Sequence, residues 1–407
     1  MEATSRFTGY NLAGFVISTF AGFVGGIVIA RTVHGVGVGQ VAAAWALVEL
    51  ARPWGALSTV PAIRRSFEER DPARVWGTSL AMHLAAMGPA VALLVALSGP
   101  LADALNSTPA AVAISATYLL AFIPASVGLS VLDARKDFAR RNSVVVLTNV
   151  SYLGLLLAFT VPFPTVESVV AANVLSTAIA SAVCLRYLAW PRFDPATTSY
   201  LLRSGSRMVV IMFAGQVVLW LGPAIATGWL GATEGGTYRV ASALAVYTYL
   251  LPEYVVLTWA VPAASGAVVA GGDLKALHMR STATAVGLGL LIFAAIAVAG
   301  RPLLGVYGED FVDGYALMVV LGGSFAAASL GVSATGLLYA LERTDSVMWV
   351  AVARAAVFMG VTLALIGAHG LWAIAAGVAV SSTVSAVALS ALATDWLRRT
   401  AASAHPR

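Results

Sequence analysis

Four ionisable residues lie inside or near the ends of long apolar runs, where a charge is costly. Arg52 stands near the middle of one run, one turn after Glu49, while Arg31 and Arg239 lie near the ends of two others. A charge at mid-bilayer costs at least ~2.5–3.5 kcal/mol and needs a partner or a wet cavity. Because guanidinium is a permanent, forked donor, the three arginines are candidates to bind an anionic substrate group, and Glu49 is included in the predicted substrate site as the neighbour of Arg52. Alternatively, Arg52 only neutralises Glu49, and Arg31 and Arg239 extend to the lipid headgroups.

A second candidate site surrounds Glu253, which follows Pro252 in another apolar run. Its carboxylate could hold Na⁺ or a proton as a coupling cation, or pair with an arginine across a cavity. Four aromatic residues share this run and could stack on sugar rings or simply pack between helices: Tyr247, Tyr249, Tyr254 and Trp259. Arg354 lies two turns inside a later run, and we expect it to extend to the interface.

Residue patterns for catalysis or metal binding are missing from the sequence. Cys184 is the only cysteine, and no two of the five histidines stand at the helical spacing of metal ligands. The sequence has no phosphate-binding P-loop and no nucleophile motif. We therefore expect no metal, no cofactor and no enzymatic activity. The expected partners are a transported molecule, membrane lipid and a coupling cation, without nucleic acid, and the protein is predicted to be a monomer.

The elements that carry these residues are predicted to be membrane-spanning helices. Apolar residues make up 59% of the chain and charged ones 11%, with a mean hydropathy of +0.86. A spanning helix needs ~20 mostly apolar residues, and twelve runs qualify: 9–30, 38–62, 75–98, 110–132, 143–161, 166–189, 208–230, 237–268, 281–300, 312–340, 346–367 and 370–394. The predicted fold is an all-α polytopic membrane protein with about 12 transmembrane helices.

The charges in the gaps between runs predict the orientation. Nineteen of the 24 Lys and Arg residues fall in alternate gaps or at the termini, whereas the opposite gaps hold only Arg31 and Arg301. Short loops rich in Lys and Arg stay in the cytoplasm. We therefore expect a multi-pass protein of the cytoplasmic (plasma) membrane with both termini inside.

The two halves of the chain carry a weak internal repeat. Shifting the second half by 199 positions aligns Gly37 with Gly236 and Pro53 with Pro252. Proline within a span removes a backbone hydrogen bond, so a bend is predicted at each. Six spans per half make the repeats parallel. The prediction is two six-helix bundles around a central cavity, with residues 1–190 and 208–407 forming the bundles and 191–207 a cytoplasmic linker.

Four stretches, in order and with preserved spacing, resemble the multidrug/oligosaccharidyl-lipid/polysaccharide exporter superfamily, and within it the polysaccharide exporters. They are Ile29–Gly35 with Gly39–Ala42, then Arg52–Gly55, then Gly236–Ala241, and finally Arg301–Phe311 with Tyr315. The first is similar to the family pattern a-R-x-L-G-x-x-x-y-G-x-y, and the last to P-x-I-x-x-l-f-G-x-x-F. The first run holds no acidic residue, unlike the drug-exporting branch.

This resemblance implies a flippase that moves a polyprenyl-(pyro)phosphate-linked sugar or oligosaccharide across the membrane by alternating access. The lipid-linked glycan would then be the substrate, its phosphate contacting Arg52, Arg239 and Arg31. Two alternatives remain open: a membrane enzyme of polysaccharide assembly, such as a polymerase or acyltransferase, and an ion-coupled drug or metabolite antiporter.

Overall fold

A computed structural model describes residues 2–68, 71–270 and 272–403, and these residues form helices with no strand. An apolar run satisfies its backbone hydrogen bonds internally when it is helical, which a lipid environment requires. The α-helices are α1 (Glu2–Ala51), α2 (Pro53–Glu68), α3 (Pro72–Ala96), α4 (Ser98–Ala104), α5 (Pro109–Ala134), α6 (Phe138–Thr160), α7 (Val166–Cys184), α8 (Pro195–Ile225), α9 (Ala232–Ala245), α10 (Tyr247–Ala270), α11 (Leu274–Tyr307), α12 (Tyr315–Ala328), α13 (Val332–Ala340), α14 (Thr344–His369) and α15 (Leu371–Ser403).

The described residues contain eleven helical stretches long and apolar enough to cross a membrane, so the chain is a multi-pass membrane protein. The first stretch, Gly14–Phe67, contains two of the twelve predicted runs. His34 separates them, because its backbone is non-helical at φ 56° and ψ −175°. The eleven stretches therefore correspond to the twelve predicted runs.

One of the two predicted proline bends lies where the sequence places it. The helix is interrupted at Arg52, and α2 begins at Pro53, where a missing N–H costs nothing. In the second half the interruption lies earlier than predicted, at Val246, while Pro252 is inside α10. Pro252 cannot donate to the Thr248 carbonyl, and the Ser329 hydroxyl donates to that oxygen instead at 3.1 Å.

The chain forms two compact units, Met1–Thr237 and Tyr238–Arg407. In the first unit, α5 packs against α7 and α3, and α8 packs against α1 and α2. Its buried core includes Val48, Leu119 and Ile123. In the second unit, α10 packs against α11 and α13, and α15 packs against α14 and α12. The division of the repeat at 190 and 208 stays a prediction; packing assigns all of α8 to the first unit.

The segment before α8 is tied to the start of α3 by two reciprocal ion pairs. The Arg192 guanidinium donates to Asp71 Oδ2 at 2.8 Å, and Arg74 pairs with Asp194. The hydrogen bond from Arg192 lowers the pKa of the Asp71 carboxyl. The hydrogen bonds from Arg74 and then from Thr197 lower the pKa of Asp194, which also caps α8. Both carboxylates therefore stay charged at neutral pH, and both pairs persist.

Glycine at position 77 allows the backbone of Trp190 and Arg192 to pack closely against α3. The Arg192 backbone N–H donates to the Gly77 carbonyl at 3.2 Å. A Cβ at Gly77 would stand 2.5 Å from the Trp190 carbonyl oxygen, closer than side-chain carbons approach. Because α8 begins at Pro195, residues 195–207 of the predicted linker are helical. The extended part is therefore short and held by the α3 contacts.

The predicted topology can be tested by cysteine labelling in a Cys184→Ala background. Ala73 and Ala104 are both exposed and lie in consecutive gaps. We expect a membrane-impermeant thiol reagent to label Ala104→Cys in intact cells and Ala73→Cys only after permeabilisation, because the Arg-rich gap is cytoplasmic. Labelling of Ala73→Cys from outside would contradict the predicted orientation.

Candidate functional site

Glu49 and Arg52 form an ion pair at the end of α1. The Arg52 Nη1 donates to Glu49 Oε1 at 2.9 Å, within one helical turn. The exposed fraction of the side chain is 4% for Glu49 and 32% for Arg52. The pair is therefore asymmetric: the carboxylate is enclosed, whereas part of the guanidinium remains accessible. Because guanidinium carries five N–H donors, the bond to Glu49 leaves further donors for an anion.

Aromatic side chains of α5 form a wall beside this pair. The Arg52 guanidinium carbon lies 5.8 Å from the centre of the Phe122 ring. Tyr118 stacks on Phe122 with ring centres 5.6 Å apart and meets Trp45 edge-on at 4.8 Å. Tyr118 also interacts with Arg52. The site thus places a cation next to flat apolar faces, a combination that suits a charged group joined to a ring.

The other two predicted arginines lie in different surroundings. Arg31 is exposed on α1, in the first unit, as the headgroup alternative requires. Arg239 is half-buried on α9, in the second unit, and interacts electrostatically with Tyr247 and Tyr307. Within the first unit, the structure brings Glu49 and Arg52 together in a direct pair. The assignment of Arg31 and Arg239 as substrate contacts remains a prediction.

Glu253 belongs to a polar cluster inside the second unit. The Tyr249 hydroxyl, one turn earlier on α10, donates to Glu253 Oε1 at 2.7 Å. Arg354 on α14 and Tyr339 on α13 also interact electrostatically with Glu253. The Arg354 Nη2 donates to Ser382 Oγ on α15 at 3.3 Å.

The cluster differs from the expectation that Arg354 extends to the interface. Its guanidinium instead donates to Ser382 on α15 and interacts electrostatically with Glu253 and Tyr249 on α10, and its Nε is buried with no hydrogen-bond partner among the described residues. An acid, a phenol and an arginine that converge in this way can exchange or hold a proton. No group of three His, Cys, Asp or Glu side chains converges in the described parts of the chain.

Sequence reasoning missed Tyr118, Phe122, Tyr339 and Ser382. Tyr118, Phe122 and Tyr339 come from helices far along the chain from the charges they interact with, and Ser382 lies on the helix that follows Arg354. Aromatic and serine residues in apolar runs commonly pack between helices. No sequence signal therefore distinguishes these four residues from ordinary packing residues.

The fold matches that of known membrane transporters. An inward-facing multidrug resistance MATE family transporter of the MOP superfamily shares 13% identity at a TM-score of 0.81, covering 96% of this chain and 98% of its own. The MATE multidrug transporter DinF-BH, in complex with R6G, shares 16% sequence identity at a TM-score of 0.73. The match covers 96% of this chain and 94% of that one. A third match is a MOP superfamily transporter from Pyrococcus furiosus Vc1 (DSM3638), for which a reverse polarity of the binding pocket is described. It shares 14% sequence identity at a TM-score of 0.65, over 97% of this chain and 95% of that one.

These likenesses establish the fold alone, because the identities are low. No family model and no curated protein matches the chain. The predicted fold class is confirmed: the chain is an all-α polytopic membrane protein whose fold is like that of the transporters named above. The resemblance to the polysaccharide-exporting branch is a finer assignment and stays a prediction.

Proposed function

We propose that this protein is an exporter that moves a polyprenyl-(pyro)phosphate-linked sugar or oligosaccharide across the membrane for surface polysaccharide biosynthesis, by alternating access. The transporter fold supports movement of a molecule across the membrane. No bond of the cargo is made or broken in this process. The lipid tail would remain in the bilayer while the phosphate and sugar pass along the protein.

The observation that carries the proposal is the asymmetry of the Glu49–Arg52 pair. A cationic drug needs an accessible carboxylate, but Glu49 is enclosed and already bound to Arg52. The accessible partner is the arginine, whose forked donors match phosphate geometry. The half-buried Phe122 ring beside Arg52 offers an apolar surface for a sugar ring, and the buried Tyr118 ring stacks behind it. The site therefore favours an anionic, ring-bearing cargo.

Deletion of the gene tests the proposal. We expect lipid-linked glycans to accumulate in the cytoplasmic leaflet and surface polysaccharide to fall, because synthesis continues while translocation stops. Lipid extracts and surface glycan should be quantified in the deletion strain, with re-expression of the wild-type chain as the control. Lipid-linked precursors that were never made would assign the protein to synthesis, as the polymerase or acyltransferase alternative requires.

An ion-coupled antiporter is the second candidate, and the Glu253 cluster favours it. A carboxylate bonded to Tyr249 and close to Arg354 can take up and release a proton as a transport cycle requires. The fold of multidrug MATE transporters fits this function equally well. A deletion strain with altered drug sensitivity and no glycan defect would establish the antiporter and reject the flippase. In a flippase, Glu253 would couple the same cycle to an ion gradient.

A further inference from the structure

A cavity of about 330 Å³ lies in the first unit, where α2 ends, α3 begins and α5 ends. Its remaining wall is the chain after α7, residues 186–189. Phe67, Trp76, Ala134 and Leu188 give it apolar walls, and Arg135 and Arg186 complete the lining. The cavity lies outside the two sites described above, since it shares no residue with either. It combines an apolar interior with two cations.

The charge of the two arginines is not met by an ion pair within the described residues. Arg135 and Arg186 are exposed, and neither forms an ion pair in the described parts of the chain. The nearby arginines are paired: Arg140 with Asp137 at 3.2 Å, and Arg141 with Asp133 at 2.7 Å. Arg186 lies 4.8 Å from the centre of the Tyr187 ring, which leaves its N–H donors for another group. An anion is therefore the complementary ligand for this cavity.

The cavity is preformed because its wall is fixed. The segment that follows Leu188 and Ala189 is tied to α3 by the Arg192–Asp71 and Arg74–Asp194 ion pairs. The Arg192 guanidinium is engaged in this contact, so it does not add to the charge of the cavity. Binding of a ligand there would therefore lose little conformational entropy in the surrounding residues.

Large apolar side chains of the lining and of its neighbours along the chain are exposed. The exposed fraction is 62% for Phe67, 58% for Leu185 and 88% for Trp190. These residues lie at the ends of spanning helices, the level at which aromatic side chains meet lipid headgroups. A soluble phosphate compound would leave this apolar surface unused. A phospholipid uses both parts, with its phosphate at the arginines and its acyl chain along Phe67 and Leu188.

We propose that this cavity binds the headgroup phosphate of an anionic phospholipid. Basic pockets at the ends of transmembrane helices recognise such headgroups through several Lys or Arg contacts. The bound lipid would bridge the ends of α2, α3, α5 and α7 and thereby stabilise the first unit. This site is separate from the proposed transport pathway and does not depend on the identity of the cargo.

Native mass spectrometry of the full-length protein tests the site. The purified, delipidated protein is titrated with phosphatidylglycerol and, separately, with phosphatidylcholine. We expect the wild type to prefer phosphatidylglycerol and the double variant Arg135→Gln/Arg186→Gln to lose about tenfold in affinity for it, because both headgroup contacts are removed. The matched control Arg203→Gln/Arg280→Gln removes the same charge from two exposed, unpaired positions among the described residues and should keep the preference. Equal losses in the two double variants would overturn the site.

Two further measurements separate the lipid from a free phosphate. Ala73 lines the cavity and is exposed, so Ala73→Trp fills the space without changing charge and should also weaken phosphatidylglycerol binding. Unchanged binding in Ala73→Trp would overturn the proposal. Inorganic phosphate at millimolar concentration should leave the bound lipid in place. Displacement of the lipid by phosphate would show a general phosphate site and would overturn the lipid assignment.

Discussion

Replacing Arg52 by alanine should abolish transport while the protein still reaches the membrane. The change removes the accessible donor for an anionic cargo and leaves the enclosed Glu49 carboxylate without its arginine. Breaking a buried ion pair costs ~3–5 kcal/mol, and here less, because the Arg52 side chain is 32% exposed. Transport is measured as restoration of surface glycan and removal of accumulated lipid-linked precursor in the deletion strain, alongside protein level in the membrane.

The double variant Glu49→Gln/Arg52→Gln separates the two roles of Arg52. It removes both charges, so no unpaired carboxylate remains and folding should recover. If Arg52 binds the cargo, the double variant should still be inactive. Full transport by the double variant would mean that Arg52 serves only to neutralise Glu49. Arg52→Lys keeps the charge but loses the forked geometry, and we expect partial activity from it.

Replacing Gly39 by alanine should prevent stable folding. The start of the second segment of α1 lies against the start of α9, which belongs to the first unit, and a Cβ at Gly39 would overlap the Ala232 carbonyl and stand 2.9 Å from the Gly236 nitrogen. Backbone atoms cannot move aside as a flexible side chain can. We expect destabilisation at or above the ~3 kcal/mol upper range for overpacking. The Gly236 position is equally tight, because its Cβ would overlap the Gly35 carbonyl.

Gly22→Ala is the matched control, since Gly22 lies in the same helix and a Cβ added there would meet no atom within 4 Å. Alanine there should be neutral or slightly stabilising, because it lowers the entropy of the unfolded chain. Yield of monodisperse protein by size-exclusion chromatography and the midpoint of thermal unfolding give the comparison. Equal behaviour of Gly39→Ala and Gly22→Ala would show that the α1–α9 crossing is looser than the structure indicates.

Local sequence was sufficient to predict the helices and the Glu49–Arg52 pair of the candidate site. Long apolar runs can satisfy their backbone only as helices in lipid, so the spans follow from composition and length. The break before Pro53 follows from a missing N–H. The Glu49–Arg52 pair follows from a spacing of one helical turn, which brings the two side chains to the same face.

Contacts between distant helices were decided only by tertiary structure. Phe122 reaches Arg52 because α5 packs beside α1 and α2, and Arg354 donates to Ser382 because α15 packs beside α14. Because the apolar runs have similar compositions, the sequence contains little information about which helices pack against each other. The packing of α8 with the first unit and the position of the second-half break at Val246 likewise have no signal in the sequence. A lipid-facing run specifies a helix, but the shapes and hydrogen bonds of its neighbours specify where that helix packs and bends.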